Sequence, residues 1–178
     1  MKEQGEHAMR SGPIAMMVLA TIGIAVIPAI ARAQGSAFGY AFAGPTAISG
    51  DRPLAWTVGG GGEIPTGWKG TTAGLEVAGL WSPPPRADGP YGRTIASRLI
   101  SVDVSHHFRN VRGLGKWEPY LTGGLAIVGG GDAVAGFAVG AGIHRWFTPH
   151  AGLRIDVRDQ FSPDIVSLVG VRAGIVFR

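Results

Sequence analysis

The chain has 178 residues, with 16 Lys+Arg against 12 Asp+Glu, a formal charge of +4 and no cysteine. That length suits one domain with a sizeable core, and the lack of cysteine excludes a disulfide framework or a thiolate metal site. Charged residues make up only 16%, against about 25% in soluble domains, and the scattered basic residues form no stripe that would call for nucleic acid.

The first segment reads as an export signal. Ile14 to Ala31 carries no charge, follows Lys2 and Arg10, and runs into Ala31-Arg32-Ala33, a small-x-small cleavage site. Residues 1–33 are therefore expected to be a cleaved secretory signal peptide, with translation starting at Met1 or Met9. Residues 34–178 form the mature domain, beginning at Gln34. The competing reading is a retained anchor, since about 18 apolar residues just span a bilayer. Pro28, close before the cleavage motif, favours removal.

From residue 34 on, apolar residues recur every second position and not every 3.6, which predicts strands. The first strand, "SAFGYAFAG", sets Phe38, Tyr40 and Phe42 against Ala37, Gly39 and Ala41. The second, about 54–64, opposes Trp56 and Val58 to Thr57, Gly59, Gly61 and Glu63. The third, about 71–81, opposes Ala73, Leu75, Val77 and Trp81 to Thr72, Gly74, Glu76 and Ala78. The fourth, about 95–108, opposes Ile100, Val102, Val104 and Phe108 to Ser101, Asp103, Ser105 and His107. The fifth sets Trp117, Leu121, Leu125 and Ile127 against Glu118, Tyr120, Thr122 and Gly124. In the sixth, Phe137, Val139, Ala141 and Ile143 oppose Gly140, Gly142 and His144. The seventh, "HAGLRIDVRDQ", sets Ala151, Leu153, Ile155 and Val157 against Gly152, Arg154, Asp156 and Arg158. The eighth sets Val169, Val171, Ala173, Ile175 and Phe177 against Leu168, Gly170, Arg172 and Gly174. Residues 44–53, 82–93 and 160–164 read as turn-rich connections, and 147–150 as a tight turn.

The polar faces decide which side meets water. They hold glycine, alanine and single charges of both signs, unlike the Lys-, Thr- and Glu-coated face of a solvated sheet. Glu63, Glu76, Asp103, Glu118 and Asp156 are placed to meet Arg154, Arg158 and Arg172. Such faces suit the cramped interior of a narrow barrel, and the Leu, Val, Ile and Phe faces suit lipid. Trp56, Trp81, Phe108, Trp117, Trp146 and Phe147 fall near strand ends, as interfacial girdles do, and Trp68 lies in a connection of the same depth. The expected fold is all-β: a single up-and-down antiparallel transmembrane barrel of about eight strands. The soluble alternative, a lipocalin-like periplasmic carrier with its oily face inward, would have to expose a surface made largely of glycine.

Three stretches, "WEPYLTGGLAIVGGG" (117–131), "GAGIHRWFTPHAGLRIDVRD" (140–159) and "VGVRAGIVFR" (169–178), resemble the small Gram-negative outer-membrane barrels of the OmpA type. The matching features are Pro119-Tyr120 before glycines, Gly140 and Gly142, the turn Phe147-Thr148-Pro149, and Gly152 through Arg158. The resemblance implies outer-membrane localisation, contact with outer-membrane lipids, and insertion by the barrel assembly machinery. That machinery reads a terminal aromatic in the family, here Phe177, followed by Arg178.

Chemical motifs are sparse. Asp103, Ser105 and His107 share a face and Glu118 follows on the next strand, a set that an acyl-transfer site requires. Outer-membrane lipid A deacylases, however, use His-x-Ser, and here the order is reversed. His106 and His107 are adjacent strand residues that point opposite ways, so they do not make a metal pair. The "GGGG" at 59–62 and "GGGD" at 129–132 lack the lysine and helix of a phosphate loop. No catalytic, cofactor or metal residues are assigned. The assigned site is a lumenal ion network of Glu76, Glu118, Arg154, Asp156, Arg158 and Arg172. The expected function is non-enzymatic, structural or adhesive, in a monomer whose loops meet any surface partner.

Overall fold

The computed structural model describes residues 37–49, 54–81, 96–129, 133–162 and 165–178. The leader and the connection at 82–93 lie outside them. Eight strands follow one another: β1 (Phe38–Ile48), β2 (Ala55–Pro65), β3 (Thr71–Trp81), β4 (Ala96–His107), β5 (Trp117–Gly129), β6 (Ala133–Trp146), β7 (Ala151–Ser162) and β8 (Ile165–Phe177). Each pairs antiparallel with the next, and β8 returns to β1, closing the barrel. This is the expected up-and-down fold. Closure leaves no unpaired sheet edge, the condition a sheet must meet to cross a bilayer.

The end at which β1 starts and β8 finishes is the lower rim. It carries the turns 66–70, 108–116 and 147–150. The five-residue β2–β3 turn needs left-handed backbone at Gly67 (φ 90°) and Gly70 (φ 77°), and in both places the sequence supplies glycine. Two expected connections are shorter than read. Residues 44–48 belong to β1, where Thr46 pairs with Ala55 and Gly170, and 160–162 belong to β7, with a register shift between Gln160 and Ser162.

Alternation sorts the side chains as the bilayer demands. Val58, Leu75, Val77, Val102, Val104, Leu121, Leu125, Val139, Val157, Val171 and Ile175 face outward and are exposed, while Glu76, Arg154, Asp156, Arg158 and Arg172 are buried within. An oily outer belt around a charged interior overturns the soluble-carrier alternative. Trp56 pairs with Trp81 at the upper rim, and Trp68, Phe108, Trp117 and Phe147 ring the lower one.

Two facings differ from the sequence reading. In β1 the bulky face points inward: Phe38, Tyr40 and Phe42 are buried, and the small Ala41 and Ala43 lie on the lipid side. Cross-strand partners share a face, and Phe38 lies opposite Glu63 and Tyr40 opposite Gly61, so the β1 aromatics enter the lumen with β2's polar set. Trp146 also turns inward. It is in phase with His144 and packs edge-on against Phe38 at 6.1 Å, so it is no part of the outer girdle. The upper lumen is apolar, closed by Ile48, Ala55, Leu80 and Leu168 with Val128 against them.

Candidate functional site

Three strands bring three carboxylates into the bore (Glu63 on β2, Glu76 on β3, Asp103 on β4), and β7 and β8 bring three guanidiniums and Asp156. Each position is inward because strand alternation fixes it. The seven groups join in one chain of alternating sign. Arg154 donates from Nη1 to Glu63 at 2.7 Å and from Nε to Asp156 at 3.0 Å. Asp156 accepts Arg172 Nε at 2.6 Å, and Arg172 Nη1 reaches Glu76 at 2.6 Å. Arg158 stands 3.5 Å from the other Glu76 oxygen and donates to Asp103 at 2.7 Å. Every member is at most 3% exposed, so neither sign is screened by bulk water. Buried ions survive only when paired and hydrogen-bonded.

Neutral groups add to the pairing, and Asp103 Oδ1, Arg154 Nη2, Arg158 Nε and Arg172 Nη2 are left with no hydrogen-bond partner among the described residues. Tyr40 donates to Glu76 at 3.3 Å and Tyr120 to Asp156 at 2.8 Å. The Arg154 guanidinium lies between these two rings, 4.1 Å from the Tyr40 centroid and 4.4 Å from that of Tyr120, and Arg172 lies 4.1 Å over Phe42. Such contacts favour a delocalised cation in a desolvated site. Each tyrosine lies over its cross-strand partner, Gly61 or Gly142, where a Cβ would collide with the phenol. The glycines of the polar faces thus make room for the rings that hold Arg154.

At the lower end of the chain, His107 Nε2 lies 2.9 Å from Glu63, and its Nδ1 is 3.2 Å from His144 Nε2 in a near-parallel ring pair. Thr72 is hydrogen-bonded to both Glu63 and His107.

The assigned residues divide. Glu76, Arg154, Asp156, Arg158 and Arg172 stand in the charge chain. Glu118 does not: it is partly exposed near the lower rim and faces His144 at 3.6 Å, and no arginine among the described residues pairs with it. Glu63 and Asp103 take the places nearest Arg154 and Arg158. The two tyrosines, Phe42 and the histidine pair were not assigned at all. Tyr40 and Phe42 look like lipid-facing residues by composition, and the histidine pair forms only once the β4–β5–β6 register is set.

The acyl-transfer set does not converge. Ser105 donates to Thr122 at 3.0 Å, while His107 engages Glu63, Thr72 and His144. Both are buried inside the barrel. His106 is on the outer face, against Thr71. Among the described residues no three His, Asp or Glu are grouped to hold a metal ion.

No protein-family model matches the chain, and no curated protein matches its sequence. Solved structures do. Neisserial surface protein A (NspA) is 14% identical, with a TM-score of 0.64 over 79% of this chain and 96% of that one. The N-terminal β-barrel domain of Pseudomonas aeruginosa OprF is 19% identical, with a TM-score of 0.53 over 81% of this chain and 98% of that one. At such identities what is shared is the fold, that of the small eight-stranded outer-membrane barrels.

Proposed function

We propose that this small outer-membrane-type barrel is a structural or surface-interaction element of the outer membrane, not an enzyme, and that its bore passes no solute. The observation that carries the reading is the continuous charge chain from Glu63 to Asp103, spanning the lumen between β2, β3 and β4 on one side and β7 and β8 on the other. Eight strands enclose a bore that side chains fill, and here the filling is ionic in the middle and apolar above. Water entering that middle would have to displace salt bridges already formed.

The reading includes residues 1–33 as a removed leader, the barrel assembly machinery as the inserting partner, and a monomer whose upper connections meet any surface partner. N-terminal sequencing of the exported protein should begin at or near Gln34, and a chain retaining 14–33 in the outer membrane would refute the leader. For the bore, the purified protein in planar bilayers under molar salt should give no steady conductance steps. Reproducible ohmic steps from wild type would overturn the sealed lumen. Comparing lipid A acyl chains with and without the protein tests for enzymatic activity, and an acylation change lost in Ser105→Ala would restore the deacylase alternative.

A further inference from the structure

The charges of the barrel are segregated along its axis. From Gln34 on there are thirteen Lys+Arg and ten Asp+Glu. Three guanidiniums and four carboxylates lie in the lumen chain. Arg52, Arg86, Arg93, Asp51, Asp88, Asp132 and Asp164 fall in sequence between strands and outside the described residues, and Arg98 and Asp159 stand toward the upper ends of β4 and β7. All the remaining basic residues, Lys69, Arg109, Arg112, Lys116, Arg145 and Arg178, stand at the lower rim, where Glu118 is the sole acidic side chain. Among the described residues the basic side chains outside the lumen therefore gather at the lower end, with Arg98 alone at the upper.

Among the described residues none of these six cations makes a salt bridge. Their setting is interfacial. Arg145 lies on the lipid side of β6, opposite Trp117 and Leu153, with its guanidinium 5.4 Å from the Trp117 ring and 5.8 Å from that of Phe147. Arg109, Arg112 and Lys116 are exposed on the β4–β5 turn beside Phe108 and Trp117, and Lys69 is next to the highly exposed Trp68. Aromatic rings at headgroup depth with unpaired guanidiniums beside them match one occupant: the rings insert, and the forked donors meet phosphate oxygens.

We propose that the lower rim is a docking surface for anionic phospholipid headgroups, which hold the barrel at its depth in the leaflet around that end. The proposal rests on the bilayer-spanning fold and not on the sealed bore, so the conductance result does not bear on it. Each cation near an anionic surface strengthens attraction about fivefold, and six cations against one carboxylate give a strong preference over zwitterionic lipid.

The test uses the folded full-length barrel, its state checked by heat-modifiability on gels, in detergent with either phosphatidylglycerol or phosphatidylcholine. Retained lipid is counted by native mass spectrometry. Wild type should retain phosphatidylglycerol over phosphatidylcholine by at least about tenfold, and R112Q/K116Q/R145Q should lose most of that preference. Arg98→Gln, at the upper rim, should keep it. The wild-type preference should also fall as salt rises, a readout that needs no variant. An absent preference, one that survives the triple substitution, or one insensitive to salt would overturn the proposal. Equal loss in Arg98→Gln would overturn it too, because the attraction would then be one of total charge.

Discussion

Replacing Asp156 by alanine is expected to lower the unfolding free energy of the barrel in lipid by about 3–5 kcal/mol. Asp156 is the centre of the charge chain: it accepts Arg154, Arg172 and the Tyr120 hydroxyl. Its removal leaves Arg172 with only Glu76 and Arg154 with only Glu63, two buried guanidiniums under-paired. Most of the cost is the stranded charge and not the lost attraction. Asp156→Asn, which keeps an acceptor, should cost less, and adding an apolar replacement of Arg172 should recover part of the loss. Glu118→Ala is the control: partly exposed and facing a histidine, it should cost about 0–1 kcal/mol. Urea titration in vesicles followed by tryptophan fluorescence measures all four, and an Asp156→Ala barrel as stable as wild type would show that the chain is not structural.

The outer face should give an effect of similar size by a different route. Val171 lies at the middle of β8, opposite Val157, and points into the oily belt. Val171→Arg places a charge near the bilayer midplane, which costs about 2–4 kcal/mol, whereas Leu153→Arg, two residues into β7 from the lower rim, should cost about 0–1 because the side chain reaches headgroups. Val171→Ser should be milder than Val171→Arg. If Val171→Arg folds into vesicles as well as Leu153→Arg does, the depth assignment fails.

Most of the fold was legible because a lumen-lipid boundary writes itself into a strand as strict alternation. β7 displays this most plainly, with Arg154, Asp156 and Arg158 between Leu153, Ile155 and Val157. β1 was opaque for a physical reason. Phe38, Tyr40 and Phe42 opposite small residues satisfy a lipid face and a crowded lumen equally well, and only pairing with Glu63 and Gly61 decides. Trp146 is a different case: its phase with Gly142 and His144 already pointed inward, and its position near a strand end masked that. For the candidate site, sign and face picked out five members of the charge chain. They could not separate Glu118 from Glu63, because depth along the bore depends on stagger between strands. The stack of Tyr40, Arg154 and Tyr120 joins residues far apart in sequence, and no local pattern announces it.

The charge chain also ties the two halves of the sequence to each other. Its links between Glu63 and Arg154 and between Glu76 and Arg172 span 91 and 96 positions. The first four strands supply Glu63, Glu76 and Asp103 without one lumenal arginine, and the last four supply all three arginines with Asp156 as the one carboxylate of the chain. Neither half is electrically self-sufficient. A sheet of β1–β4 alone would carry three lumenal anions without a partner, and the charge chain is complete only when β7 and β8 meet them. The two halves are complementary in sign, and the ionic chain exists only in the closed barrel.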